Sequence, residues 1–330
     1  MTAPIIAFFN NKGGVGKTSL VYHLAWMFAD LGLDVLAADL DPQANLTSVF
    51  LSEEECFDLW SSADNRMTVY GAVQPMRGVS DFSLIPPTVV SNRIRLLPGD
   101  LELSIFEDVL ADQWTRGLND DPRAAYILSV FYRLIRKTAE AKPTDVILLD
   151  VGPSLGAINR AALIASDFVV IPLGADLFSI QALRNVGPRL RQWRGDWAKR
   201  RGAQSSVDIS LPEGKMLPLG YVLIQHAARL DRPTKAYEQW ASRVPDEYVK
   251  SVQGPATATG VNEVDPCLAQ LRHYRSLMPM AQQARKPIFH LTSADGAIGA
   301  HQQAVRDVGK EFQALAKKIM ERAGLGSRAS

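Results

Sequence analysis

Cysteine is scarce, with only Cys56 and Cys267 in 330 residues. Two thiols so far apart make neither a disulfide framework nor a metal-ligand spacing, which argues for a reducing compartment and against a structural metal. The five histidines form no HxxxH or similar pattern, so no zinc site of that kind is expected. No apolar run approaches the ~20 residues that a membrane span needs, and the N-terminus opens straight into an apolar strand, so a cytoplasmic protein is expected. Charge excess is missing too. The formal net charge is +1, so any affinity for nucleic acid must come from local patches and not from a global field. There is no internal repeat and no low-complexity tail. The hydrophobic share of 47% is ordinary for a soluble globule, and the length suits one α/β domain over 1–330.

What is present is concentrated near the start. The apolar run Ile5, Ile6, Ala7, Phe8, Phe9 stops at Asn10 and runs into NKGGVGKTS, after which Leu20, Val21, Leu24, Ala25, Phe28 and Leu31 recur at helical spacing. Strand, glycine loop and helix in that order make a phosphate-binding loop. Small residues at Gly13, Gly14 and Gly16 let backbone N–H groups wrap a polyphosphate, Lys17 supplies a cation to the β- and γ-phosphates, and Thr18 offers a hydroxyl to Mg²⁺. The following helix turns its positive end to the nucleotide. Asn11 stands where the general motif has glycine, and a second lysine, Lys12, precedes the glycines.

Two more strands end in carboxylates. Val35–Asp39 continues into DLDPQANLTS and brings Asp39 and Asp41 to a strand end, where α/β sheets bind ligands. Val146–Leu149 is a fully apolar run closed by Asp150, placed to hold a Mg²⁺ shell through water and to bond the Thr18 hydroxyl. Further strands are expected at Arg93–Leu97, Asp167–Pro172 and Leu219–Ile224. Helices are expected at Leu101–Trp114, within Pro122–Ala141, at Ile180–Arg194 and at His301–Met320. The alternation predicts a doubly wound, mostly parallel sheet. Residues 52–92 give no clear pattern, and 241–270, rich in proline and glycine, read as an inserted loop.

KGGVGKT resembles the deviant Walker A loop of the ParA/MinD family of P-loop ATPases. DLDPQANLT resembles that family's switch I, and DVILLDVGPSLG its Walker B strand and switch II, with Gly152 where the family usually has proline. Gly152 gives this loop extra freedom, which bears on how nucleotide state is transmitted. The resemblance implies ATP and Mg²⁺ as ligands. It makes Lys12 the signature lysine that reaches the partner's phosphates in a nucleotide-sandwich dimer, and Asp41 the group that positions or activates the attacking water. Lys12, Lys17 and Asp41 are then the catalytic set. Nucleotide binding falls to Lys12, Gly13, Gly14, Val15, Gly16, Lys17, Thr18 and Ser19, with Gln225 near the adenine; Thr18, Asp39 and Asp150 serve the metal. Within the class, no cysteines in the switch region exclude a bridging cluster, and a terminal tyrosine cluster and a basic amphipathic C-terminal helix are absent. The chain therefore resembles short ParA-type partition ATPases: homodimeric with ATP, slow in basal hydrolysis, bound non-specifically to nucleoid DNA, and released by a ParB-like centromere-binding protein. A regulatory switch of a mobile or defence element, or an ATP-dependent amidase or synthetase, are the alternatives.

A basic run supplies the candidate DNA surface. Arg184, Arg189, Arg191, Arg194, Lys199, Arg200 and Arg201 face a single acid, Asp196. By resemblance, DNA contacts are expected from Arg191, Arg194, Lys199, Arg200 and Arg201, with Arg229 and Arg232 beyond the next strand.

Overall fold

The alternation of β1 (Ile5–Phe8) decides the layers: Ile5 and Ala7 enter one core, Ile6 and Phe8 the other, and all four are fully buried. A strand covered on both faces needs such a continuous apolar run. The computed structural model describes residues 2–61, 66–119, 121–203, 208–225, 234–254 and 265–326.

After β1 come α1 (Lys17–Asp30), β2 (Val35–Leu40), α2 (Asn45–Phe50), α3 (Glu53–Ser61), α4 (Val69–Val73), β3 (Thr88–Val89) and β4 (Ile94–Leu97). The middle of the chain forms α5 (Glu107–Arg116), α6 (Pro122–Leu128), α7 (Val130–Glu140), β5 (Val146–Val151), α8 (Ala157–Ile164), β6 (Phe168–Leu173) and α9 (Leu177–Ala203). It closes with β7 (Leu217–Ile224), α10 (Thr234–Ala241), α11 (Val244–Tyr248), β8 (Cys267–Leu271), α12 (Leu277–Ala284) and α13 (Ala300–Ala323). The strands make one sheet in the order β3-β4-β2-β5-β1-β6-β7-β8. Every pairing is parallel except β3 with β4. One core packs α4 to α9 and α11 against the sheet; the other packs α1, α2, α12 and α13. The expected doubly wound α/β fold is therefore present.

Several elements differ from the sequence expectation. The stretch from Leu101 begins as a 3₁₀ turn, Leu101–Phe106, before α5. The helical stretch after Pro122 breaks at Ser129, whose hydroxyl donates to Ala125 O at 2.6 Å and accepts from Arg133 Nε at 3.2 Å. Helix α9 runs well past both expected ends. The reading of 241–270 as a loop is corrected over its described residues, which form α11, a π-helical turn at Val249–Gln253 and the start of the edge strand β8, while 255–264 lie outside the described residues. Pro245 sits in the first turn of α11, where a missing N–H is harmless. Buried Val244, Tyr248 and Val252 anchor the segment to α9, where Gly187 permits backbone contact: a Cβ there would stand 2.0 Å from Ser251 O.

The register aligns the site. Phe8, Asp150 and Asp39 occupy equivalent positions on β1, β5 and β2, so three strands end side by side at the sheet's carboxyl edge.

Candidate nucleotide site

The loop between β1 and α1 is fixed from below by Asn10, whose side-chain amide donates to Pro172 O at 2.7 Å and accepts from Lys12 N at 3.0 Å. Gly14 and Gly16 have φ of 71° and 79°, a left-handed backbone that glycine alone adopts without strain. Nothing lies within 4 Å of an ideal Cβ on Gly13 or Gly14, so the loop faces open space. Gly16 caps α1 with no side-chain acceptor, which leaves first-turn N–H groups for an anion.

Charge converges just behind the loop. Lys17 Nζ lies 2.5 Å from Asp150 Oδ1 and 3.8 Å from Asp41 Oδ2, and the Thr18 hydroxyl donates to Asp150 Oδ2 at 2.6 Å. Asp39, Asp41 and Asp150 are all buried with this one ammonium. Burial and the nearby Asp150 push the Asp39 carboxyl up to about 7, despite hydrogen bonds from Thr47. Burial also raises Asp150, against the pull of Lys17 and Thr18. The Thr18 hydroxyl and the Asp150 carboxylate stand together as hard oxygen donors beside the loop, a pairing that suits Mg²⁺ held partly through water.

Asp39 has a different position from the expected one. Its Oδ2 accepts from both the N–H and the hydroxyl of Thr47 at 2.8 Å, and its Oδ1 from Asp41 N at 3.3 Å. Gly99 closes over it, since a Cβ there would stand 2.8 Å from Asp39 Cγ. The expectation of Asp39 in the metal shell is corrected to a brace for the turn that carries Asp41, which leaves Thr18 and Asp150 as the candidate metal groups. Asp41 Oδ1 accepts from Gln43 N at 3.0 Å.

Lys12 is held at the mouth by its own chain. Its ammonium pairs with Asp176 Oδ2 at 2.5 Å and lies 5.5 Å from the ring of Phe178, which is 68% exposed. Burial alone would raise Asp176, but hydrogen bonds from Lys12 and the Ser179 amide hold it below the usual carboxylate range.

A cavity of about 830 Å³ opens from the loop, lined by residues 12–19, Asp41, Gln43 and Pro153, and it continues along α1 to Met278, Ala281, Gln282 and Arg285 of the α12 region. Gln225 is not part of this lining; its backbone N–H donates to Leu271 O at 2.9 Å and joins β7 to β8. The α12 residues had no motif to announce them. Where α1 meets α13 and the segment after α12, buried His23 Nδ1 donates to Ser19 O at 2.7 Å, Nε2 accepts from Ile288 N at 3.2 Å, and the ring stacks on Phe312 with centroids 5.0 Å apart. Burial pushes His23 down to about 4, so it is neutral at pH 7.

The basic run divides. Arg191 donates to Ser251 O and Val252 O, and Arg194 to Met216 O. Arg200 is buried, donates to Trp114 O at 2.7 Å, and stacks 3.8 Å from the Trp114 ring, which Arg160 of α8 also approaches at 4.1 Å. Arg200 as a DNA contact is thus corrected to a packing residue, because its guanidinium is already spent on α5. Lys199 and Arg201 are exposed. Arg229 and Arg232 lie outside the described residues.

A family model described as an AAA domain matches residues 3–197, the span that holds the loop and all three carboxylates. The chain belongs to the ParA/MinD family of P-loop ATPases. Soj of Bacillus subtilis, a sporulation initiation inhibitor protein, is 33% identical to this ParA/MinD member over 183 residues, 55% of this chain and 62% of Soj. Among the curated relatives the match spans from 41% to 81% of their own length. A crystal structure of a Corynebacterium diphtheriae protein, DIP2308, superposes with a TM-score of 0.68 at 25% identity, covering 97% of this chain and 98% of the other. A putative plasmid partition protein of Borrelia burgdorferi, bound to AMPPNP, shares the fold at a TM-score of 0.59 and 18% identity, covering 97% of this chain and all of the other. No helix among the described residues is long and apolar enough to cross a membrane.

Proposed function

We propose that this protein binds and slowly hydrolyses Mg-ATP, dimerises in the ATP state, binds DNA without sequence preference, and moves or positions a DNA cargo. The observation that carries this reading is the convergence of Lys17, Thr18, Asp41 and Asp150 under a left-handed glycine loop, with Lys12 at its mouth.

Each residue has a task that its position supports. The amides of Gly13 to Thr18 wrap the phosphates, and the Lys17 ammonium exchanges Asp150 for the β- and γ-phosphates. Thr18, with Asp150 behind it, would hold Mg²⁺, which supplies charge neutralisation to the phosphates when bound. Asp41 orients the attacking water and accepts its proton. Lys12 leaves Asp176 and reaches the phosphates of a second copy, so the site is complete only in the dimer. Basal turnover is slow, since few groups stabilise the transition-state charge until a partner adds to them. The partner of this reading is a ParB-like centromere-binding protein, and the setting is the cytoplasm at the nucleoid.

Lys199 and Arg201 are the exposed cations of the α9 terminus, about two phosphate contacts per subunit. An ATP dimer then neutralises about four, and log affinity falls with log salt at a slope near −3.6. Titration of random-sequence duplex DNA in ATP and in ADP tests this: ATP-dependent binding with that slope is expected. No binding by the ATP form at low salt would remove the DNA role.

A further inference from the structure

The loop after β5 is held by one side chain from the helix that follows it. Asn159 of α8 is almost fully buried and makes four contacts to that loop. Its Oδ1 accepts from Gly152 N at 3.1 Å, and its Nδ2 donates to Gly152 O and Ser154 O, each at 2.7 Å, with Ser154 Oγ at 3.2 Å. The helix is anchored in turn by Glu107 of α5, whose carboxylate accepts from Ala157 N and, at 2.9 Å, from Ile158 N. Gly152 therefore has little of the freedom its type suggests.

The clamped backbone lies against Asp41. A Cβ built on Gly152 would stand 3.1 Å from Asp41 Oδ1 and 3.5 Å from Asn159 Nδ2. Proline at 152 would meet the same carboxylate and would lack the N–H that Asn159 accepts. Glycine and Asn159 thus form a matched pair, one permitting the close approach and the other fixing it.

We propose that Asn159 is the positioning residue for Asp41: by holding residues 152–154 against the Asp41 carboxylate, it sets the placement of the attacking water. Its side-chain hydrogen bonds go to Gly152 and Ser154 and not to Lys17, Thr18 or Asp150. This rests on the ATPase reading above. Release of the clamp leaves Asp41 a softer wall and a wider range of orientations, and misplacement of about 1 Å at a reacting group costs on the order of 100-fold in rate.

The test measures ATP turnover and Mg-ADP affinity for wild type, Asn159→Ala, Gly152→Ala, Asp41→Ala and the Asn159→Ala/Asp41→Ala double variant, each with a thermal melt. Asn159→Ala is expected to lower kcat by about 10- to 100-fold with nucleotide affinity within about two-fold. Gly152→Ala, which crowds Asp41 without emptying a buried site, lowers kcat in the same way and decides the matter if Asn159→Ala does not fold. Because Asn159 acts through Asp41, the double variant is no slower than Asp41→Ala alone. Wild-type kcat in Asn159→Ala and Gly152→Ala, or a further loss in the double variant, overturns the proposal. A wild-type protein that binds ATP but never turns it over refutes the ATPase reading itself, a separate outcome read before any variant.

Discussion

Acid should loosen the joint between α1 and the segment after α12, and His23 sets how much. The imidazole is neutral in the fold, with Nδ1–H on Ser19 O and Nε2 accepting from Ile288 N. Protonation would turn Nε2 into a second donor facing an N–H, inside a wall made by Phe312 and Phe289 and with His290 nearby. The folded value near 4 lies below the ordinary value of 6.5, so the unfolded chain takes up the proton first. The contribution is complete above pH ~6.5 and is lost as pH falls toward 4. Between pH 8 and pH 5 the linkage amounts to about 2 kcal/mol. Urea unfolding of wild type and His23→Gln at both pH values, followed by far-UV circular dichroism, isolates it from the carboxylates common to both. The wild type should lose about 2 kcal/mol more than the variant between pH 8 and pH 5. Equal losses in the two proteins would refute a neutral His23 at this joint.

Lys17→Ala should abolish ATP binding, and it also strips Asp150 of its cation, a change on the order of 3–5 kcal/mol for a buried pair. Isothermal titration at a temperature where the variant is shown to be folded checks it, and affinity within about two-fold of wild type would overturn the loop assignment. Asp41→Ala should bind ATP normally and hydrolyse it at least about 100-fold more slowly, as phosphate-release kinetics would show. Arg200→Ala should lower stability by about 1–3 kcal/mol through its lost stack and hydrogen bond to Trp114, leaving the salt slope of DNA binding unchanged. The paired Lys199→Glu and Arg201→Glu changes should instead abolish DNA binding with an unaltered melt.

The loop and the carboxylates at 39, 41 and 150 were legible in the sequence because each is written in consecutive residues at a strand end. What Asp39 does was not. Its partner Thr47 lies eight residues on, inside α2, and Gly99 comes from beyond another strand's end. Arg200 was misread for a related reason: a run of like charges gives no sign of which guanidinium faces water, and Trp114 lies 86 residues upstream. Asp176, 164 residues from Lys12, carries no motif. Strand β8 escaped because five residues on a half-exposed edge, preceded by proline, look like the loop around them. Asn159 could have been suspected from its place in an otherwise apolar helix, where a buried amide needs partners.

The central claim is that the ATP site is completed by a second copy through Lys12. Light scattering coupled to size exclusion, in Mg-ATP and in Mg-ADP, tests it most directly with Asp41→Ala, which holds ATP unhydrolysed, and with the Asp41→Ala/Lys12→Ala double variant. Asp41→Ala should run at twice the 36.2 kDa chain mass in ATP and at the monomer mass in ADP, and the double variant should stay monomeric in both while still binding nucleotide. A monomeric Asp41→Ala protein at saturating ATP, or equal dimerisation with and without Lys12, would contradict it.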